Sequence, residues 1–263
     1  MSGNFLYGAN VAANGIRQHY LRYGGRGPVV VVVPGITSPA ITWGFVGEAL
    51  SADYDVYILD VRGRGLSSSG PDLDYSLDSC AADLAAFVEA LGLYGVTGLG
   101  HSMGARHLLR AARSGGFDRL ILVDPPVSGP GRRRYPMALE WYTASIALAV
   151  RGASADELRQ FTPTWSEEHV RLRAEWLHTC YEPAVRASFD GFHDDDIHQD
   201  VAVLGVPSLL MAAENGGVIA DGDLTEIRSL CPSMEWCRIA NAGHMIPWDN
   251  LPDFLAQVKR FTG

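Results

Sequence analysis

Polar and apolar positions divide the chain into alternating runs, uninterrupted apolar runs and longer amphipathic stretches. Phe5 to Val11 and Ile16 to Tyr23 alternate with a period of two, which predicts two half-buried strands; Asn14-Gly15 between them tolerates the positive φ angles of a tight hairpin turn. Pro28 to Val33 is a β-branched run without polar alternation, as expected of a strand covered on both faces of a mainly parallel sheet. Val56 to Asp60, the run reaching Gly98-Leu99-Gly100, Arg119 to Asp124, Val206 to Ala213 and Met234 to Ala240 read as further strands. Helix-compatible segments separate them. A short one closes at Ala49-Leu50, and one from Ser76 to Gly92 sets Leu77, Leu84, Phe87, Val88 and Leu91 on an apolar face. Others are Arg106 to Arg113, Asp221 to Leu230, and a closing helix from Pro247 to Phe261. Strands alternating with helices imply right-handed crossovers and an α/β fold with a parallel sheet, its functional loops gathered at the strand carboxyl ends.

The pattern changes after Asp124-Pro125-Pro126. From Val127 to about Asp200 it is helical, rich in Trp, Tyr and Arg, broken at Pro136, Gly152, Pro163 and Pro183, and without a buried strand. This predicts a core domain of 1–126 and 201–263, with residues 127–200 as a helical lid over the carboxyl edge of the sheet.

At one strand end the chain reads Gly100-His101-Ser102-Met103-Gly104, and a helix-compatible segment follows at once. A strand that turns directly into a helix holds the residue at the turn in strained geometry, so its neighbours two positions away need to be nearly free of side chain. Ser102 is therefore a candidate nucleophile, and a serine hydroxyl needs a base, an orienter for that base and donors for the oxyanion. His244, in the loop Asn241-Ala242-Gly243-His244-Met245 between the last strand and last helix, is the candidate base. Chain order allows either Asp124 or Glu214 as orienter; Asp124 is favoured because its shorter carboxylate is fixed by Pro125, and Glu214 stays as the alternative. Backbone N–H groups of Ile36, after Pro34-Gly35, and of Met103 are the candidate oxyanion donors. His169, His178, His193 and His198 read as ordinary surface or packing histidines. The stretch Phe192 to His198 resembles a metal-ligand run but reads as a solvated loop, and no metal is expected. Asp60-x-Arg62-Gly63-x-Gly65 fits neither dinucleotide nor phosphate-loop spacing and reads as a structural turn.

Composition narrows the class. With 263 residues and 47% hydrophobic content the chain can bury a sizeable core, and a net charge of −9 leaves no basic face for nucleic acid. Met1 to Asn10 lacks the pattern of a leader, and no apolar run approaches the roughly 18 residues needed to span a bilayer, so a cytoplasmic protein without membrane contact is expected. Cys80, Cys180, Cys231 and Cys237 are scattered, as reduced thiols would be.

With Pro34-Gly35, Asp60-x-Arg62-Gly63-x-Gly65-x-Ser67, Gly100 to Gly104 and Gly243-His244 in register, the whole chain resembles the α/β-hydrolase superfamily. The resemblance implies a mostly parallel eight-stranded sheet flanked by helices, and no cofactor. Two positions depart from the family pattern: Pro34-Gly35 stands where His-Gly is usual, and Gly216 stands where the acid after the seventh strand is usual. The second departure favours Asp124. More narrowly, Tyr7-Gly8-Ala9-Asn10, Asn14 to Tyr20, and Pro34 to Ala40 with Trp43-Gly44 are similar to the deformylases of bacterial nicotinate degradation. That implies hydrolysis of N-formylmaleamate to maleamate and formate through a formyl-serine.

A carboxylate-bearing formyl amide needs a cation, for which Arg132, Arg133 and Arg134 form the densest basic cluster. The alternatives are an ester or carbon–carbon bond hydrolase of aromatic degradation, for which Trp141, Tyr142, Trp165 and Trp176 would suit a planar ring, and a ligand receptor that kept the fold without turnover.

Overall fold

In a computed structural model, which describes residues 4–263, the β-branched run is a central strand, Val29–Val33 (β3). Met1 to Gly3, the start of the segment read for a leader, lie outside the described residues. The sheet has eight strands in the order β1-β2-β4-β3-β5-β6-β7-β8, with β1 Phe5–Ala13, β2 Ile16–Tyr23, β4 Asp55–Leu59, β5 Thr97–His101, β6 Arg119–Val123, β7 Ser208–Ala213 and β8 Glu235–Ile239. Only β1 with β2 and β2 with β4 pair antiparallel; the other neighbours are parallel. Asn14 and Gly15 take φ 48° and 72° at the hairpin.

Both faces of β3 are buried, which explains why its sequence does not alternate. Val31 and Val33 pack into a cluster with Phe87 and Leu108, while Val30 and Val32 face Trp43, Leu50 and Phe254 on the other side. Helices α1 (Gly44–Leu50), α2 (Leu77–Ala90) and α3 (Met103–Ala111) cover the sheet. The Ser76 side chain caps α2 by accepting from Ser79 N. Between β6 and β7 the chain forms only helices: α4 Leu139–Val150, α5 Ala155–Leu158, α6 Glu167–Trp176, α7 Glu182–Asp194 and α8 His198–Ala202, with short 3-10 turns between some of them. α9 (Asp221–Leu230) then joins β7 to β8.

The closing helix differs from the expectation. It is two pieces, α10 (Ile246–Asp249) and α11 (Leu251–Thr262), because Asn250 leaves helical geometry at φ −147°. Its side chain does two jobs there: Oδ1 accepts from Asp253 N to cap α11, and Nδ2 donates to Ala240 O at 2.9 Å, tying the break to the end of β8. No helix among the described residues is long and apolar enough to cross a membrane, and Cys80, Cys180, Cys231 and Cys237 are all unpaired thiols.

Candidate active site

Ser102 is the single residue between β5 and α3, and the abrupt change holds it at φ 54°, ψ −117°. A non-glycine residue at positive φ stores strain, here tolerated because the surroundings fix it: its N–H donates to Val123 O at 2.8 Å. Steric crowding accounts for both flanking glycines. A Cβ on Gly100 would stand 2.6 Å from Ala105 N and Cα, and one on Gly104 would overlap the Val33 carbonyl. The helix therefore starts at Met103, three residues earlier than the side-chain pattern predicts.

Ser102 Oγ lies 3.0 Å from His244 Nε2, and His244 Nδ1 lies 2.7 Å from Asp124 Oδ2. A carboxylate only accepts, so Nδ1–H donates to Asp124 and the bare Nε2 accepts the serine proton. Asp124 is fully buried and itself sits at φ 46°. Its second oxygen accepts from Ala213 N at 3.1 Å, so the carboxylate is fixed between the ends of β6 and β7. Glu214 is exposed and does not contact His244. Its Oε2 accepts from Asn241 N at 2.8 Å, bracing the start of the histidine loop.

His101 contributes from below. Its Nε2–H donates to the His244 carbonyl at 2.9 Å, and burial pushes the imidazole down to about 3, so it stays neutral.

Ile36 lines the space above Ser102, and Met103 follows the serine directly in the chain. Met103 is the first residue of α3, so its N–H is one of the helix's unsatisfied donors. The Ile36 carbonyl accepts from Arg64 Nε at 3.1 Å, which fixes the Ile36–Thr37 peptide, one Cα on from the Ile36 N–H. Arg64 belongs to the segment read as a structural turn, and it does more than turn the chain. Fully buried, it also donates to Arg62 O, Ala184 O and Ser188 Oγ, joining the Ile36 loop to α7. In the same segment the Asp60 carboxylate accepts from His19 Nδ1, Ala40 N and Leu66 N.

A cavity of about 240 Å³ opens over Ser102 and His244. Trp141, Tyr142, Phe161 and Trp165 give it apolar walls, while Tyr135, Thr37 and Arg173 bring polar atoms to it. Tyr135 and Tyr142 hydroxyls are 3.0 Å apart, and burial pushes Tyr135 up to about 12 and Tyr142 well above its ordinary value, so both remain neutral phenols. Trp176 is not part of the wall.

The basic cluster expected to hold an anion is elsewhere, and this corrects the expectation for Arg132, Arg133 and Arg134. Arg132 pairs with Glu226 and Asp196, and Arg133 with Asp223 and the Gly217 and Val218 carbonyls, which bind this segment to α9 and its approach. Arg134 is exposed and borders a different depression beside Phe189 and His193. The cation at the cavity is Arg173, in α6, which sequence reasoning passed over. One signal was available: Arg173 lies three residues after Val170 and four before Leu177, on the buried stripe of its helix.

The profile of the alpha/beta hydrolase fold matches residues 28–251. The chain is 61% identical over 259 residues to N-formylmaleamate deformylase of Pseudomonas putida, covering 98% of this chain and 97% of that one. A crystal structure of the N-formylmaleamic acid deformylase from Pseudomonas putida superposes with a TM-score of 0.93 at 56% identity, covering 96% of this chain and 100% of the other. E-2-(acetamidomethylene)succinate hydrolase, at 21% identity and a TM-score of 0.81, shares the fold.

Proposed function

The chain belongs to the alpha/beta hydrolase fold family, and from that premise we propose that it is a serine hydrolase cleaving the formyl C–N bond of N-formylmaleamate to give maleamate and formate. The observation that carries the chemistry is the unbroken relay from Asp124 through His244 to Ser102, with contacts of 2.7 and 3.0 Å. The likeness to the deformylase over nearly the whole chain supports the substrate.

In this mechanism His244 Nε2 takes the Ser102 proton as Oγ attacks the formyl carbon, and Asp124 stabilises the imidazolium that forms. The carbonyl oxygen becomes an oxyanion facing the N–H groups of Ile36 and Met103, donors already fixed before charge develops. Collapse breaks the C–N bond, and His244 returns the proton to the departing nitrogen, which leaves as the neutral amide maleamate. The leaving nitrogen is bonded to a second acyl group, so it tolerates developing charge better than an amine would. A water, deprotonated by His244, then attacks the formyl-serine; formate departs and Ser102 recovers its proton.

The cavity favours this small acid over a bulky aromatic substrate, since about 240 Å³ is below the roughly 300–1,000 Å³ of sites for drug-sized molecules. The segment between β6 and β7, which supplies Trp141 and Arg173 from α4 and α6 and Tyr135 and Trp165 from its loops, acts here as a lid.

The deciding experiment is formate release from N-formylmaleamate by the protein and by Ser102→Ala. Formate from the former and a loss of at least about 10⁴-fold in the latter is the expected result. Hydrolysis of an activated ester without formate release from N-formylmaleamate would leave a serine hydrolase and remove the substrate.

A further inference from the structure

We propose that Arg173 is the anchor for the substrate's carboxylate, a single guanidinium set in an aromatic wall that makes the enzyme selective for acids over their neutral esters. The inference rests on the deformylase reading and adds the residue that confers acid selectivity.

Four arginines are buried in this protein, and three are fully occupied. Arg62 pairs with Asp83, Arg64 donates to several backbone and side-chain acceptors, and Arg106 donates to the carbonyls of Pro126, Ser128, Gly191 and Asp195. Arg173, only 4% exposed, is different. Its contacts are two long ones to a single residue, Thr37 O at 3.3 Å and Thr37 Oγ1 at 3.4 Å, and its Nε has no partner. No carboxylate among the described residues pairs with it.

An arginine cannot shed its charge, and an uncompensated buried cation is costly, so such a group is retained where an anion arrives to meet it. Its surroundings suit that guest. The Trp141 and Trp165 rings stand 5.5 and 5.8 Å from the guanidinium carbon, partly compensating the charge without supplying a competing anion. Apolar walls lower the local dielectric and strengthen any ion pair formed inside.

The carboxylate that does border the cavity, Asp249, is engaged beside His244, accepting from Gly243 N at 2.9 Å. The cavity's acid therefore already has a partner, while its cation has no carboxylate among the described residues. A flat, four-carbon acid with its formyl group on Ser102 can place its distal carboxylate on Arg173. Because Arg173 also touches Thr37, next to the oxyanion donor Ile36, a bound carboxylate tightens a contact made directly to that loop.

A structural tie between α6 and the Thr37 loop is the competing role, and the two separate by substrate. The measurement compares formate release from N-formylmaleamate and from its neutral methyl ester, in the parent and in Arg173→Met and Arg173→Lys, alongside calorimetric binding of maleamate. The expected result is a fall of roughly 100-fold in the acid-to-ester ratio of kcat/KM for Arg173→Met, carried mostly by KM, with a smaller fall for Arg173→Lys and loss of maleamate binding in Arg173→Met. An unchanged ratio, acid and ester falling together, or maleamate binding that survives Arg173→Met overturns the inference while formate release by the parent keeps the deformylase reading. No formate from the parent removes that reading, and maleamate binding still decides whether Arg173 holds carboxylates.

Discussion

Gly216 and Asp124 converge on the same point from adjacent strand ends: a Cβ on Gly216 would stand 3.2 Å from Asp124 Oδ2 and 3.2 Å from His244 N. Gly216 stands where the resemblance to the superfamily expects an acid, and a side chain there would overlap Ala213 Cβ at 2.6 Å and crowd the carboxylate that follows β6. The two positions therefore compete for the space beside the same imidazole.

This competition predicts a transfer of function. Asp124→Asn removes the acceptor for His244 Nδ1–H and should lower kcat on the order of 10⁴-fold. Gly216→Asp in the intact protein crowds Asp124 and should lower kcat by about tenfold. In an Asp124→Gly background, which empties the space that Asn would still fill and suits the positive φ there, the same change should instead restore activity by at least about tenfold, measured as formate release. A double variant no better than Asp124→Gly alone would show that the ends of β6 and β7 are not interchangeable.

Glu214, the alternative orienter by chain order, acts on the backbone. Its exposed carboxylate accepts from Asn241 N, and Asn241 sits at φ 56°, so the bond steadies a strained loop three residues before His244. Glu214→Ala should reduce kcat by less than about tenfold, against the far larger loss for Asp124→Asn. Equal losses in the two variants, compared in the same formate assay, would reassign the orienter.

The difference between what was legible and what was not follows chain distance and burial. The strands announced themselves because period and β-branching are local, and Gly100-x-Ser102-x-Gly104 because a steric demand fixes residues within two positions. Ser102, Asp124 and His244 shared a second local mark: each falls at or just beyond the carboxyl end of a strand of the predicted sheet. Arg64 and Arg173 carried no such mark. Both matter through partners far along the chain, Ile36 and Thr37, and an arginine in sequence looks solvated until its neighbours are known. Arg132 to Arg134 erred the other way: local density suggested a site, but carboxylates on distant α9 claimed two of the three. Asn250 likewise broke the closing helix through a contact to Ala240 that no periodicity reports.

Arg64 offers a test of the oxyanion loop. Arg64→Met preserves volume but releases the Ile36 carbonyl, so the Ile36–Thr37 peptide is free to turn and the Ile36 N–H, one Cα away on the preceding peptide, loses its neighbouring support. Because the interaction strengthens only as the oxyanion forms, kcat should fall by about 10- to 100-fold with KM little changed. The Arg62, Ala184 and Ser188 acceptors also lose a partner, which should lower Tm by several degrees. A rise in KM with kcat preserved would place Arg64 outside catalysis.

Acid sensitivity should come from two histidines that stay neutral in the folded protein down to about pH 3. His101 and His107 flank the elbow, and burial pushes each down to about 3; for His107 the nearby Arg64, Arg106 and Arg62 charges add to the effect. The unfolded chain takes up these protons below about pH 6.5, whereas the folded protein does not until about pH 3. Stability is therefore complete above pH 6.5 and lost as pH falls through that window, at about 1.4 kcal/mol per pH unit for each proton. Urea midpoints measured between pH 7 and pH 5 should decline, and His107→Gln, which leaves Ser102 and His244 untouched, should flatten the slope by about one proton. An unaltered slope in His107→Gln would mean that carboxylates, rather than this buried imidazole, set the acid limit.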